Sequence, residues 1–245
     1  MDKITVGWMY PNLLNLHGER GSVQALVAIG KQLGIEVDVK RIEDFDDPIP
    51  FAELDLLMFL PGEIVSFQHL IPALRKSQLQ EYLEKGGYLL ALGTSGLMFG
   101  KTVTREDGSI LNGLGYLDMD AKERKYVWGD DLHFRIDEIG MELAGSQIQM
   151  ADVDAKQPLG TTIYGMGNNN SGSEGARWNN LIYTNCMGPL FVKNPWFGEY
   201  ILKGILHTKG VEISAVGSYP IAKASFEATL KFINEKPKKL KHLTR

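Results

Sequence analysis

The 245 residues, 44% apolar and 23% charged, suffice for one sizeable core and for no more than about one and a half domains. A net charge of −4 leaves no basic field for nucleic acid, and no apolar run approaches the ~18 residues of a membrane span. A lone cysteine, Cys186, excludes an intrachain disulfide and fits a reducing compartment, so the expected setting is cytoplasmic.

The chain runs from Met1 straight into a strand-like Ile4–Met9, with no basic, apolar signal segment before it. Ser22–Leu33 follows as a helix, with Val23, Leu26, Val27, Ile29 and Leu33 on its apolar positions. Ile35–Val39 and the nearly all-apolar Leu54–Leu60 read as strands, the second buried on both faces. Leu74, Leu79, Tyr82 and Leu83 give one helix face that stops at Gly86-Gly87, and Tyr88–Leu92 is the next strand. Strands alternating with helices predict a doubly wound α/β sandwich with a largely parallel sheet. Residues 105–175 read as loop-rich, with short strand pieces at Tyr126–Trp128, His133–Ile136 and Gln147–Met150. Leu181–Tyr183 resumes as a strand and Pro195–Leu206 as a helix. The reading gives one domain over 1–235 and a basic tail over 236–245. That tail holds five of the 26 Lys and Arg, which leaves −9 on the rest.

After Tyr88–Leu92 the chain turns through Gly93-Thr94-Ser95-Gly96 and resumes with Leu97-Met98-Phe99, which suits a helix start. Strand, tight turn, helix is the layout of a nucleophile elbow. Here its first turn residue has no side chain.

Several longer segments carry a resemblance. Tyr10–Gly21 (YPNLLNLHGERG), Asn112–Asp118 (NGLGYLD), Gly167-Asn168-Asn169, Glu174–Trp178 and Gly188–Pro195 occur in an order similar to class I glutamine amidotransferases of the cobyric acid synthase type. Within that family they are most similar to the glutaminase subunits of lipid II isoglutaminyl synthases. The likeness spans about residues 4 to 206. It implies a flavodoxin-like fold, a Mur-ligase-type partner and a role in amidating a bacterial peptidoglycan precursor.

The departures from the family pattern fall at its chemistry. Gly93 stands where the resemblance implies the nucleophilic cysteine, and Met187 where it implies the catalytic histidine before Gly-Pro. Pro61-Gly62-Glu63 replaces a glycine-rich oxyanion loop, and Tyr126 replaces a basic substrate contact. The family reaction passes through a thioester, which needs a thiolate activated by an imidazole. Glycine cannot attack, a thioether cannot shuttle a proton, and proline has no N–H for an oxyanion. The expectation is a catalytically degenerate binding or regulatory subunit without cofactor or metal.

The alternative is an active amidotransferase or hydrolase with a relocated nucleophile, Ser95 or Cys186, supplying ammonia to a ligase. Against it, Gly93–Leu97 does not complete Gly-x-Ser-x-Gly, and small polar residues at such a turn are expected to cap the helix. Cys186 is expected as a small buried hydrophobe. A third possibility is a sensor that binds a small amide or amino acid in the space left at Gly93. The five histidines, His17, His69, His133, His207 and His242, show no metal-binding spacing.

Overall fold

The first half of the chain builds a central sheet from the apolar runs. Strand β1 (Lys3–Met9) leads into α1 (Arg20–Leu33), β2 (Glu36–Ile42), β3 (Leu56–Phe59), α2 (Phe67–Lys76), α3 (Leu79–Glu84) and β4 (Tyr88–Leu92). A 3₁₀ segment, Gly93–Phe99, follows in place of the expected helix start. Then come β5 (Thr102–Thr104), β6 (Ile110–Asn112), β7 (Met119–Ile136), β8 (Met141–Ala155), β9 (Gly160–Tyr164), β10 (Ser173–Glu174), β11 (Ala176–Trp178) and β12 (Leu181–Thr184). Helices α4 (Leu190–Lys193), α5 (Pro195–Thr208) and α6 (Pro220–Glu235) complete the order. This computed structural model describes residues 2–46 and 48–236. Of the predicted basic tail only Lys236 lies among the described residues; the rest, with His242, lies outside them.

The main sheet has the order β2-β1-β3-β4-β12-β11, parallel except for the edge strand β11. Counted along the chain, its parallel strands run 2-1-3-4-5, the flavodoxin-like doubly wound order. Helices α1 and α5 cover one face with Leu26, Ile29, Phe197 and Leu202, all buried. Helices α2 and α3 cover the other with Phe67, Leu70, Leu74 and Leu79. Each such side chain removed from water contributes about 2 kcal/mol.

Two elements differ from the sequence reading. The expected single helix face through Leu74–Leu83 is broken at Ser77, whose backbone goes extended while its hydroxyl donates to the Leu74 carbonyl at 2.6 Å. That local bond competes with helix continuation. The loop-rich middle is instead a second sheet, β10-β9-β7-β5-β6, with β8 paired to β7 in a long antiparallel hairpin. Its register shifts between Glu123 and Trp128. Such a sheet keeps one face wet, so charged residues such as Lys122, Glu123 and Lys125 break up the apolar pattern along β7. Helix α6, to which the sequence reading assigned no element, has only Ile233 fully buried.

Candidate functional site

The elbow follows β4 at the carboxyl end of the sheet, where doubly wound folds place their crevices. Gly93 has φ +57°, the left-handed region that a nucleophile elbow demands and that glycine adopts without cost. A Cβ added there would stand 2.9 Å from Met187 Sδ and 3.2 Å from Pro61 Cγ. Met187 is 1% exposed, and Gly93 and Pro61 are buried. The sequence-predicted positions Gly93, Met187 and Pro61 therefore converge on one point. They fill it. The space that the third possibility, a small amide or amino-acid ligand at Gly93, would need is plugged by the Met187 side chain, a flexible thioether suited to an irregular gap. Three surface hollows of about 300, 590 and 570 Å³ open elsewhere.

The plug is held by its backbone. Met187 N–H donates to the Ser146 carbonyl and Ser146 N–H to the Met187 carbonyl, both at 2.9 Å, which ties β8 of the second sheet to the end of the first. Gly145 makes that approach possible: a Cβ there would lie 2.3 Å from the Met187 carbonyl oxygen.

Two buried carboxylates that the sequence reading did not single out brace the same segment. Glu19 accepts from Gly188 N–H at 2.6 Å, Leu190 N–H at 3.2 Å and Ser22 Oγ at 2.8 Å. Glu174 accepts from Asn185 N–H at 2.6 Å and Thr184 Oγ1 at 2.8 Å. Burial pushes both carboxyls up, Glu174 to about 7, against the pull of those hydrogen bonds. Their positions in polar stretches gave no apolar pattern by which sequence could mark them as interior.

The elbow hydroxyls do structural work of a kind the capping expectation missed. Thr94 Oγ1 donates to the Gly62 carbonyl at 2.6 Å and accepts from Gly62 N–H at 3.1 Å. Ser95 Oγ lies 2.8 Å from the Phe59 carbonyl and 3.0 Å from that of Leu92, and the residue is fully buried. Neither caps the 3₁₀ segment, because both hydroxyls face β3 and the loop after it. No histidine bonds Ser95 among the described residues. Cys186 is fully buried, and its thiol is pushed well up by burial and by the nearby Glu174 and Glu19 carboxylates. Among the described residues, Ser95 Oγ bonds only backbone carbonyls and no imidazole reaches either Ser95 or Cys186.

At the positions for which the resemblance implies an oxyanion loop, Pro61 has no N–H and the Gly62 N–H is already taken by Thr94. Glu63 is exposed, close enough to His17 to oppose the fall in that imidazole's pKa caused by burial. Tyr126 is 74% exposed in the irregular part of β7, with the Lys125 ammonium 5.6 Å from its ring centroid. Among the described residues, no group of three or more His, Cys, Asp or Glu is placed to hold a metal ion, and no helix is long and apolar enough to cross a membrane.

No family model matches the chain. It is similar to the GatD subunit of a glutamine-hydrolysing lipid II isoglutaminyl synthase from Staphylococcus aureus, with 27% identity over 215 residues, 86% of this chain and 88% of the relative. The corresponding subunit from Streptococcus pneumoniae is 24% identical over 204 residues, covering 78% and 76%. A crystal structure of a glutamine amidotransferase aligns at 14% identity with a TM-score of 0.51, covering 82% of this chain and 98% of that one. The chain is thus similar in sequence to GatD subunits and shares the flavodoxin-like α/β fold of glutamine amidotransferases.

Proposed function

We propose that this chain is a non-hydrolysing, glutamine amidotransferase-like subunit that binds and regulates a Mur-ligase-type partner in amidation of a cell-wall precursor. The observation that carries the reading is the filled elbow. Gly93 offers no nucleophile, and the Met187 sulfur lies only 2.9 Å from where the Cβ of a nucleophile would stand. A thioester route needs a thiolate and an imidazole at that point. Even the fallback is blunted. Losing triad members leaves roughly 10³-fold catalysis that depends on an oxyanion hole, and here Pro61 cannot donate while Gly62 N–H is spent on Thr94. The link to cell-wall amidation rests on the likeness to GatD subunits over most of both chains.

The test is reconstitution with a Mur-ligase-type subunit from the same cell and a lipid-linked, D-glutamate-containing precursor. A stable complex that amidates the precursor with free ammonia, and not with glutamine, is the expected result. Glutamine-driven amidation by the same complex contradicts the reading, as does failure of the two proteins to associate.

A further inference from the structure

A hollow of about 590 Å³ opens between the segment that follows β2 and helix α2, and Gly93, Pro61 and Met187 take no part in its lining. One wall carries Phe45, Ile49 and Phe51, and the other carries His69 and Lys76. Phe45 and His69, stacked with ring centroids 6.2 Å apart, bridge the two walls. Its size, and the share of apolar and aromatic side chains around it, are those of a small-molecule site.

Tyr10, just after β1, is the deepest residue of the lining, at 1% exposure. Its φ of +52° lies in the left-handed region, where a bulky side chain is rare. Three backbone hydrogen bonds hold it there: its N–H donates to the Ile42 carbonyl at 2.7 Å, and its carbonyl accepts from Leu13 and Leu14 at 2.9 and 2.8 Å. The ring packs against Phe59. The hydroxyl makes no hydrogen bond among the described residues, although a buried tyrosine ordinarily finds a partner. Burial and the nearby Asp44 carboxylate push this phenol up to about 12, so it stays protonated. It is a fixed donor that lacks an acceptor.

The walls also carry opposite charges. Asp46 stands on the first and Lys76 on the second, both exposed, and neither forms an ion pair among the described residues. The Asp44 and Asp46 carboxylates disfavour a purely anionic ligand, and Lys76 disfavours a purely cationic one. We propose that this hollow binds a free aromatic amino acid with a ring hydroxyl, of the tyrosine type. Its ring lies among Phe45, Ile49 and Phe51, its hydroxyl oxygen accepts from Tyr10, its ammonium meets Asp46 and its carboxylate meets Lys76. Binding there needs no chemistry at the elbow, so it stands whether or not the chain hydrolyses glutamine.

Titration of the isotope-labelled full chain with L-tyrosine, followed by amide NMR shifts, tests this. Shifts are expected within residues 45–51 and 68–78 and not at Gly93 or Met187. L-phenylalanine, which lacks the acceptor, is expected to bind about fivefold more weakly. Tyr10→Phe keeps the ring, lowers the affinity for tyrosine by the same factor and leaves that for phenylalanine unchanged. Lys76→Ala lowers the affinity for tyrosine about threefold and leaves that for tyramine, which has no carboxylate, unchanged. An unchanged amide spectrum away from the hollow verifies that each variant folds. No shift with tyrosine up to its solubility overturns the proposal. So does equal loss of tyrosine and phenylalanine binding in Tyr10→Phe, or tyramine and para-hydroxyphenylpropionate binding as tightly as tyrosine.

Discussion

At the scale of single residues, Gly93 and Met187 form a coupled pair. Gly93→Ala places a side chain in the left-handed region, at about 1–2 kcal/mol, and drives its Cβ to 2.9 Å from the Met187 sulfur. Met187→Ala alone leaves a cavity costing about 2–5 kcal/mol. Because each change makes room for the other, the double variant is expected to be more stable than additivity predicts by about 1 kcal/mol or more, as measured by chemical denaturation. Strict additivity would mean the two do not touch. Glu174 gives a pH signature. Its folded pKa of about 7 lies above the unfolded value near 4.5, so the unfolded chain loses this proton first as pH rises. Its contribution to stability is full below about 4.5, falls between about 4.5 and 7, and is gone above that. Wild type should therefore lose up to about 3 kcal/mol more than Glu174→Gln between pH 4.5 and 8; parallel pH profiles would show that Glu174 titrates normally. The elbow glycine and the Met187 position were legible in sequence because motif order and the turn residues marked them. Glu19 and Glu174 were not, since only the folded backbone reveals the N–H groups they serve.

At the scale of elements, the elbow is locked to the loop after β3 through one hydroxyl. Thr94→Val keeps the shape and strands both polar atoms of Gly62, at a cost of about 1–3 kcal/mol. Thermal denaturation checks it, and a Tm equal to wild type would show that this bridge carries no stability. Helix α6 hangs on few contacts, with one fully buried residue and the ion pairs of Lys236 to Asp130 and Asp131 at 2.5 and 2.9 Å. Lys236→Ala is expected to speed amide exchange in α6 while leaving the central sheet protected. Exchange that stays unchanged in α6 would mean Phe226 and Ile233 suffice. The strands β1, β3 and β4 were legible because burial on both faces makes them continuous apolar runs. The β7–β8 hairpin was not. Its wet face interrupts the apolar pattern, and the irregularity between Glu123 and Trp128 shifts the phase.

At the scale of the whole molecule, the doubly wound order follows from alternating strands and helices in the first hundred residues and from the return of β12 beside β4. The second sheet closes over the carboxyl end of the first through Ser146 and Met187, so the plug is also a joint between sheets. On the proposed reading, repairing chemistry there takes more than two residues. Gly93→Cys with Met187→His restores a thiol and an imidazole but leaves Pro61 and the committed Gly62 N–H, and a missing oxyanion donor costs roughly 10²-fold or more. Recovery to an ordinary amidotransferase rate in that double variant would show that the Pro61–Glu63 loop matters little. The most direct test of the account is glutamate release from glutamine by the purified chain, alone and with a Mur-ligase-type subunit. Release no faster than the enzyme-free control is predicted in both cases. Turnover above that control, abolished by Ser95→Ala or Cys186→Ala, would contradict it and make this chain an enzyme with a relocated nucleophile.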